Sequence, residues 1–318
     1  TSRAHSLSLS QNRVFVGGFT NHDLPMTGSP FDGGRNNQDA YVAVFSKNLD
    51  TFIYASYLGS NGNETFGTTS IQAIDDNSYV LGFTPDDALP AGSPNYLPDA
   101  SAYDITFGGV FDMYMCKFSS LNTMAWGTYI GGTLGDTLND LEIIPNGKII
   151  FAGWTQSTTG LTEVNSAAAS GSNSDGLIGI ISGDGHTMHY LDKIGGPNRD
   201  RIFDLEWYDG VLYFTGAVNS GFPLGTGAKY DDSFNGGTNA WNGFNGSASD
   251  AIIGRVNDTG GSTGYKATYY GAPGNGTTKD AYSNELGNGI KQVTTGGCGG
   301  GTSSAFLLVW GTVTGDSL

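Results

Sequence analysis

Asp231-x-Ser233-x-Asn235-Gly236-x-x-Asn239 sets oxygen-bearing side chains at alternate positions around a glycine, the spacing with which a loop wraps a hard divalent cation. Calcium is the chemistry those residues offer. Asn242 holds the twelfth position, where such a loop carries a bidentate Glu, and a solvated Gly/Asn insert fits the same letters. A structural calcium held by Asp231, Ser233, Asn235 and Asn239 is the one cofactor the sequence raises.

Catalytic patterns are sparser. Gly260-Gly261-Ser262-Thr263-Gly264 matches the G-x-S-x-G nucleophile elbow, which works where a strand feeds a sharp turn into a helix, and here it falls on a hairpin tip. Gly315-Asp316-Ser317-Leu318 spells a lipase/esterase motif with nothing after it to supply a histidine. His5, His22, His186 and His189 include no H-E-x-x-H pair, and neither a P-loop nor a G-x-G-x-x-G after a strand is present. No catalytic residue is expected.

Two kinds of covalent modification are open to the chain. Asn63, Asn245, Asn257 and Asn275 begin N-x-[ST] acceptors in expected loops, candidate glycan sites on an extracellular protein. Cys116 falls in an expected strand and Cys298 in the glycine loop 296–301. A bridge between them in an oxidising compartment and two free thiols are both compatible with so short a cysteine count.

The elements that would position these residues repeat. Asp39, Asp112, Asp175 and Asp250 each announce an alternating apolar run, and a run closed by glycine and threonine precedes each of them (residues 14–20, 79–84, 149–155 and 211–216). An aromatic or aliphatic residue followed by a glycine turn comes after: Tyr57-Leu58-Gly59, Tyr129-Ile130-Gly131, Ile194-Gly195-Gly196 and Tyr270-Gly271. This order predicts four short strands per unit, over residues 12–75, 78–143, 148–206 and 210–293, with strands at 4–10 and 305–314 left as a partial fifth. The recurring Asp reads as a carboxylate capping the backbone at a strand start, because Asp bonds nearby amides readily. Each sheet is apolar on both faces, so it must be sandwiched between neighbours, and a β-propeller-like array does that. One all-β domain over residues 1–318 is the expected fold.

Composition limits the partners. Gly is 51 of 318 residues and the charged fraction is 14%, against a usual ~25%, so long amphipathic helices are not expected. With 14 Lys and Arg against 30 Asp and Glu the net charge is -16, which opposes binding to nucleic acid, whose affinity rests on neutralising phosphates. No run approaches the ~18 apolar residues of a membrane span, and the first residues hold no apolar signal segment.

The succession Val14 to Thr20, Asp23-Leu24-Pro25, Asp39-Ala40-Tyr41-Val42 and Tyr57-Leu58-Gly59, with Gly221-Phe222-Pro223 as a later copy, resembles the SBBP repeat of bacterial and archaeal surface and secreted proteins. Leu161 stands where that repeat has Phe-Pro in the third unit. The resemblance implies a propeller fold and an extracellular or cell-surface location, and brings no catalytic residues with it. Three functions follow as expectations. The first is a non-enzymatic subunit of a surface filament, sheath or layer, self-assembling as a terminal strand of one copy completes a sheet of the next. The second is an adhesin- or lectin-like module stacking Trp241, Phe244, Phe222 and Tyr96 on surface glycans. The third is a propeller glycosidase or lyase with carboxylates meeting at a channel.

Overall fold

The computed structural model describes residues 2–64, 68–164, 173–230, 232, 250–257, 265–270, 284–295 and 304–314. Among the described residues there is no helix. The first sheet is β1 (Ser2–Leu9), β2 (Arg13–Thr20), β3 (Asp39–Ser46) and β4 (Phe52–Leu58), in that order. The second is β5 (Ser70–Ala73), β6 (Tyr79–Phe83), β7 (Met113–Ser120) and β8 (Thr123–Ile130). The third holds β9 (Asp136–Ile143), β10 (Ile149–Thr155), β11 (Asp175–Ile181) and β12 (Met188–Ile194), and the fourth β13 (Arg201–Tyr208), β14 (Val211–Val218), β15 (Asp250–Asn257) and β16 (Lys266–Tyr270). A two-stranded remainder pairs β17 (Asn284–Thr295) with β18 (Ser304–Thr314). This is the all-β, propeller-like array of four-stranded sheets that the repeats predict.

The grouping of strands differs from the sequence expectation by one strand. Residues 4–10 were to be left over, yet β1 pairs antiparallel with β2 from Ser2↔Thr20 to Leu9↔Val14 and opens the first sheet. The turn decides it: Ser10 N–H donates to the Arg13 carbonyl at 3.0 Å, and so short a connection makes its strands antiparallel neighbours. Residues 69–74 likewise open the second sheet, because Ile74 N–H donates to the Ser78 carbonyl in a tight turn into β6. Residues 305–314 lie in β18, whose partner is β17 and not residues 4–10.

Sheet edges are closed by two devices. On the inner edge, β5 and the residue before it give amides to side chains of β1: Thr69 N–H to His5 Nδ1 at 3.0 Å, Ile71 N–H to Ser6 Oγ at 3.2 Å and Ala73 N–H to Ser8 Oγ at 2.9 Å. Burial and the Arg3 charge hold the His5 pKa below its usual value, which keeps the neutral ring that can accept at Nδ1. On the outer edge, each long crossover folds back along the last strand: Ala55 N–H to Thr27 O, Tyr129 N–H to Asp104 O, Leu191 N–H to Val164 O and Ala267 N–H to Leu224 O. These segments do the work that a neighbouring strand would do. Ser8→Ala should lower stability by about 1 kcal/mol by leaving the Ala73 amide without its acceptor. A urea midpoint unchanged from the native chain would count against the side-chain seal.

The chain divides into two compact units, Thr1–Thr162 with Gly179–His189 and Glu163–Ile178 with Tyr190–Leu318. In the first, Phe15, Val42, Val44, Tyr54, Leu81, Phe83, Tyr114 and Phe118 form one core, with Tyr79 stacked on Phe118 at 4.7 Å between centroids. Because β3 and β7 are covered on both faces, they are apolar at nearly every position and do not simply alternate. In the second unit β17 packs on β13, β14 and β15, fixed by Ile290 N–H donating to Asp204 Oδ2 at 2.8 Å and by a 2.7 Å ion pair of Lys291 with Glu206.

Candidate functional site

The four recurring aspartates are all buried, each at the start of its strand or directly before it. Three of them have a second carboxyl beside them that belongs to the segment leaving the sheet. Glu64 N–H donates to the Gln38 carbonyl at 2.8 Å, Asp136 N–H to the Phe111 carbonyl at 2.8 Å and Asp200 N–H to the Ser174 carbonyl at 2.7 Å, so each second acid is tied to the residue that precedes the recurring Asp. Each also accepts the amide four residues before it: Ser60 N–H to Glu64 Oε1 at 2.8 Å, Gly132 N–H to Asp136 Oδ2 at 2.7 Å and Gly196 N–H to Asp200 Oδ2 at 2.7 Å. The result is one carboxyl station built three times.

The glycine after β4, β8 and β12 is explained by the same station. A Cβ at Gly59 would lie 2.7 Å from Glu64 Oε2 and 2.9 Å from Asp39 Cγ, and a Cβ at Gly131 or Gly195 would fall on the carboxyl of Asp112 or Asp175. Only a bare Cα leaves room. Sequence reading found the aspartates and the glycines but missed Glu64, Asp136 and Asp200. A signal for them exists, since each stands five residues after its glycine (59 and 64, 131 and 136, 195 and 200).

All three stations are closed, with every carboxyl residue at 3% exposure or less. Asp39 is 1% exposed and Glu64 3%, and both carboxyls crowd the same side of Gly59. Asp39 Oδ2 accepts from Asn36 N–H and Glu64 Oε1 from the amide and hydroxyl of Ser60, while Asp39 Oδ1 and Glu64 Oε2 receive no N–H or O–H among the described residues. Burial is the main cause that lifts Asp39 to about 6 and Glu64 to about 8, with the Asp32 charge also raising Asp39 and the Asp39 and Asp86 charges also raising Glu64. Burial likewise lifts Asp112 to about 6 and Asp200 to about 7. Beside the first station, the Tyr96 hydroxyl accepts from Gly59 N–H at 2.8 Å and donates to Asp32 Oδ2 at 3.0 Å. Glycoside hydrolysis uses carboxyls about 5–10 Å apart on either side of an accessible bond. Asp39 and Glu64, in mutual contact and covered, do not have that form.

The residues expected from sequence to carry function fall elsewhere. Asp231, Ser233, Asn235 and Asn239 of the calcium loop lie outside the described residues, as do Cys298, Asn245, Asn275, Trp241, Phe244, the stretch 260–264 and the stretch 315–318. Cys116 is a free, fully buried thiol whose pKa burial pushes up, an inert core residue. Asn63 is half-buried, and its side-chain amide donates to Asp86 Oδ2 at 3.3 Å, so this acceptor is engaged. Asn257 ends β15 opposite Val211. Phe222 and Tyr96, expected as exposed sugar platforms, are both buried, because their crossovers cover the outer strands of their own sheets. His186 joins Asp99 at 2.7 Å and Asp184 at 3.8 Å on the surface, pinning the crossover of the second sheet to the turn after β11.

No family model and no curated protein matches the chain. Among solved structures it is similar to a GH43 beta-xylosidase/alpha-arabinofuranosidase from a compost microbial metagenome, at 12% identity and a TM-score of 0.37, covering 99% of this chain and 89% of that one. It is also similar to a neuraminidase-like protein from A/bat/Guatemala, at 8% identity and a TM-score of 0.38, covering 98% and 83%. Likeness at that level transfers no activity. The terminal strands that were to drive self-assembly are used within the chain, β1 with β2 and β18 with β17. The expectation of a structural polymer subunit is withdrawn.

Proposed function

We propose that the chain is a non-catalytic, extracellular module that binds an uncharged, hydroxyl-rich ligand such as a surface glycan through tyrosines of its fourth sheet. The observation that carries this reading is the exposure of two rings, Tyr230 at 86% and Tyr270 at 60%, where most other aromatics among the described residues are buried. Tyr270 ends β16 and Tyr230 stands in the crossover of the same sheet. Exposed tyrosine offers a flat apolar face for sugar C–H groups and a hydroxyl for the ligand's own. The net charge of -16 turns away polyanions and leaves neutral polyols as the compatible class. The extracellular placement rests on the SBBP-like repeats and the acidic, Lys-poor composition. Tyr230→Ala and Tyr270→Ala should each weaken binding to a neutral glycan found by array screening by about tenfold. A double variant that binds with native affinity, or an array without a neutral hit, would refute the reading.

A further inference from the structure

We propose that Asp39 and Glu64 hold a single shared proton between Asp39 Oδ1 and Glu64 Oε2, that Asp112, whose buried Oδ1 likewise lacks a donor among the described residues, keeps a proton at the second station, and that the chain is therefore built to be most stable in mildly acidic surroundings. The geometry of the first station carries the inference. The two carboxyls, each on a residue at least nine-tenths buried, converge on the place a Gly59 Cβ would take, and each keeps one oxygen, Asp39 Oδ1 and Glu64 Oε2, without a donor among the described residues while its other oxygen is already engaged. Two facing oxygens are what one proton requires. A calcium ion requires six to eight, and this pair has two to give.

The groups around the stations reinforce the proton. Asp39 faces Asp32, Arg35 and Glu64, and Glu64 faces Asp39 and Asp86, with the Tyr96 hydroxyl beside them. Arg35 is the cation of this set, and its guanidinium is ion-paired with Asp23 at 3.2 Å. Asp112 faces Asp104 and Asp136, and Asp200 faces Asp175. Anions therefore dominate each station, and a carboxylate stripped of its proton would be buried among like charges.

The direction of the pH effect follows. Carboxyls raised in the folded chain keep a proton that the unfolded chain releases above about pH 4, so their contribution is complete below that pH and disappears as pH climbs through about 6 to 8. Asp76 and Asp99, both lowered to about 2, oppose this only in stronger acid. The raised surface His186 adds to the same trend and the lowered His5 opposes it at the acidic end, so the buried station has to be isolated by substitution.

The test is urea unfolding of the full chain and of its Glu64→Gln variant from about pH 5 to about pH 8, with and without calcium or a chelator. The unfolding constant of the native chain should rise by about tenfold per pH unit for each extra proton held. Glu64→Gln, whose amide can donate to Asp39 without titrating, should flatten the upper part of that slope, and Asp112→Asn should flatten the lower part should the first variant fail to fold. Calcium and chelator should change nothing. Stability that is level or increasing with pH, a slope unaltered by either variant, or stabilisation by calcium would each overturn the proposal.

Discussion

Gly131→Ala is expected to destabilise the protein by about 3 kcal/mol, a large fraction of the stability of an ordinary domain. The added methyl would fall on the Asp112 carboxyl. That carboxyl has little freedom to move, since Oδ2 accepts the Gly108 amide at 2.7 Å and the residue is buried at the start of β7. Removing the obstruction should therefore restore part of the loss. In a double-mutant cycle, Asp112→Ala in the Gly131→Ala background should show a coupling of about 1 kcal/mol or more. Strict additivity by chemical denaturation would mean that the glycine and the aspartate are not a unit. Gly195 against Asp175 is the same pair one sheet later, and Gly195→Ala should behave alike.

Phe214→Ala should be as costly, about 3–5 kcal/mol, through a cavity in the second unit. Phe214 is 0% exposed, lies opposite Gly254 across β14 and β15, and stacks with Tyr265 at 6.3 Å between centroids. Its ring occupies the place where a Cβ of Gly254 would be, so no neighbouring side chain stands ready to fill the void. Phe151 has the same relation to Gly179 in the third sheet. A loss below about 1 kcal/mol in thermal or urea unfolding would show that the sheets close up around the gap.

Most of the strands were legible because their residues leave few alternatives. Asp39-Ala-Tyr-Val-Ala-Val-Phe-Ser can be buried on both faces only as a strand packed between neighbours, and its copies repeat that demand. Which strands share a sheet was less legible. Recurrence fixes a period and leaves its starting point free, and the starting point is set by which turns are short: Ser10 to Arg13 and Ile74 to Ser78 are hairpin turns, whereas the stretch from Gly59 to Thr69 leads to the next sheet.

At the site, the recurring Asp was visible because it sits directly before a strand. Its partner follows a connection of different composition in each copy (residues 60–63, 132–135 and 196–199), and it is Glu in one copy and Asp in two, so no fixed residue type advertised it. The burial of Tyr96 and Phe222 was unreadable for a different reason. A loop rich in proline and glycine looks solvent-exposed by composition, yet these crossovers lie along β4, β8 and β16 and turn selected rings inward.

Infrared spectroscopy of the folded chain at neutral pH bears most directly on the carboxyl stations. The shared proton requires a protonated-carboxyl C=O stretch to persist there, far above the pH at which a solvated Asp or Glu has ionised, and to lose intensity in Glu64→Gln. A spectrum containing carboxylate bands alone would contradict it.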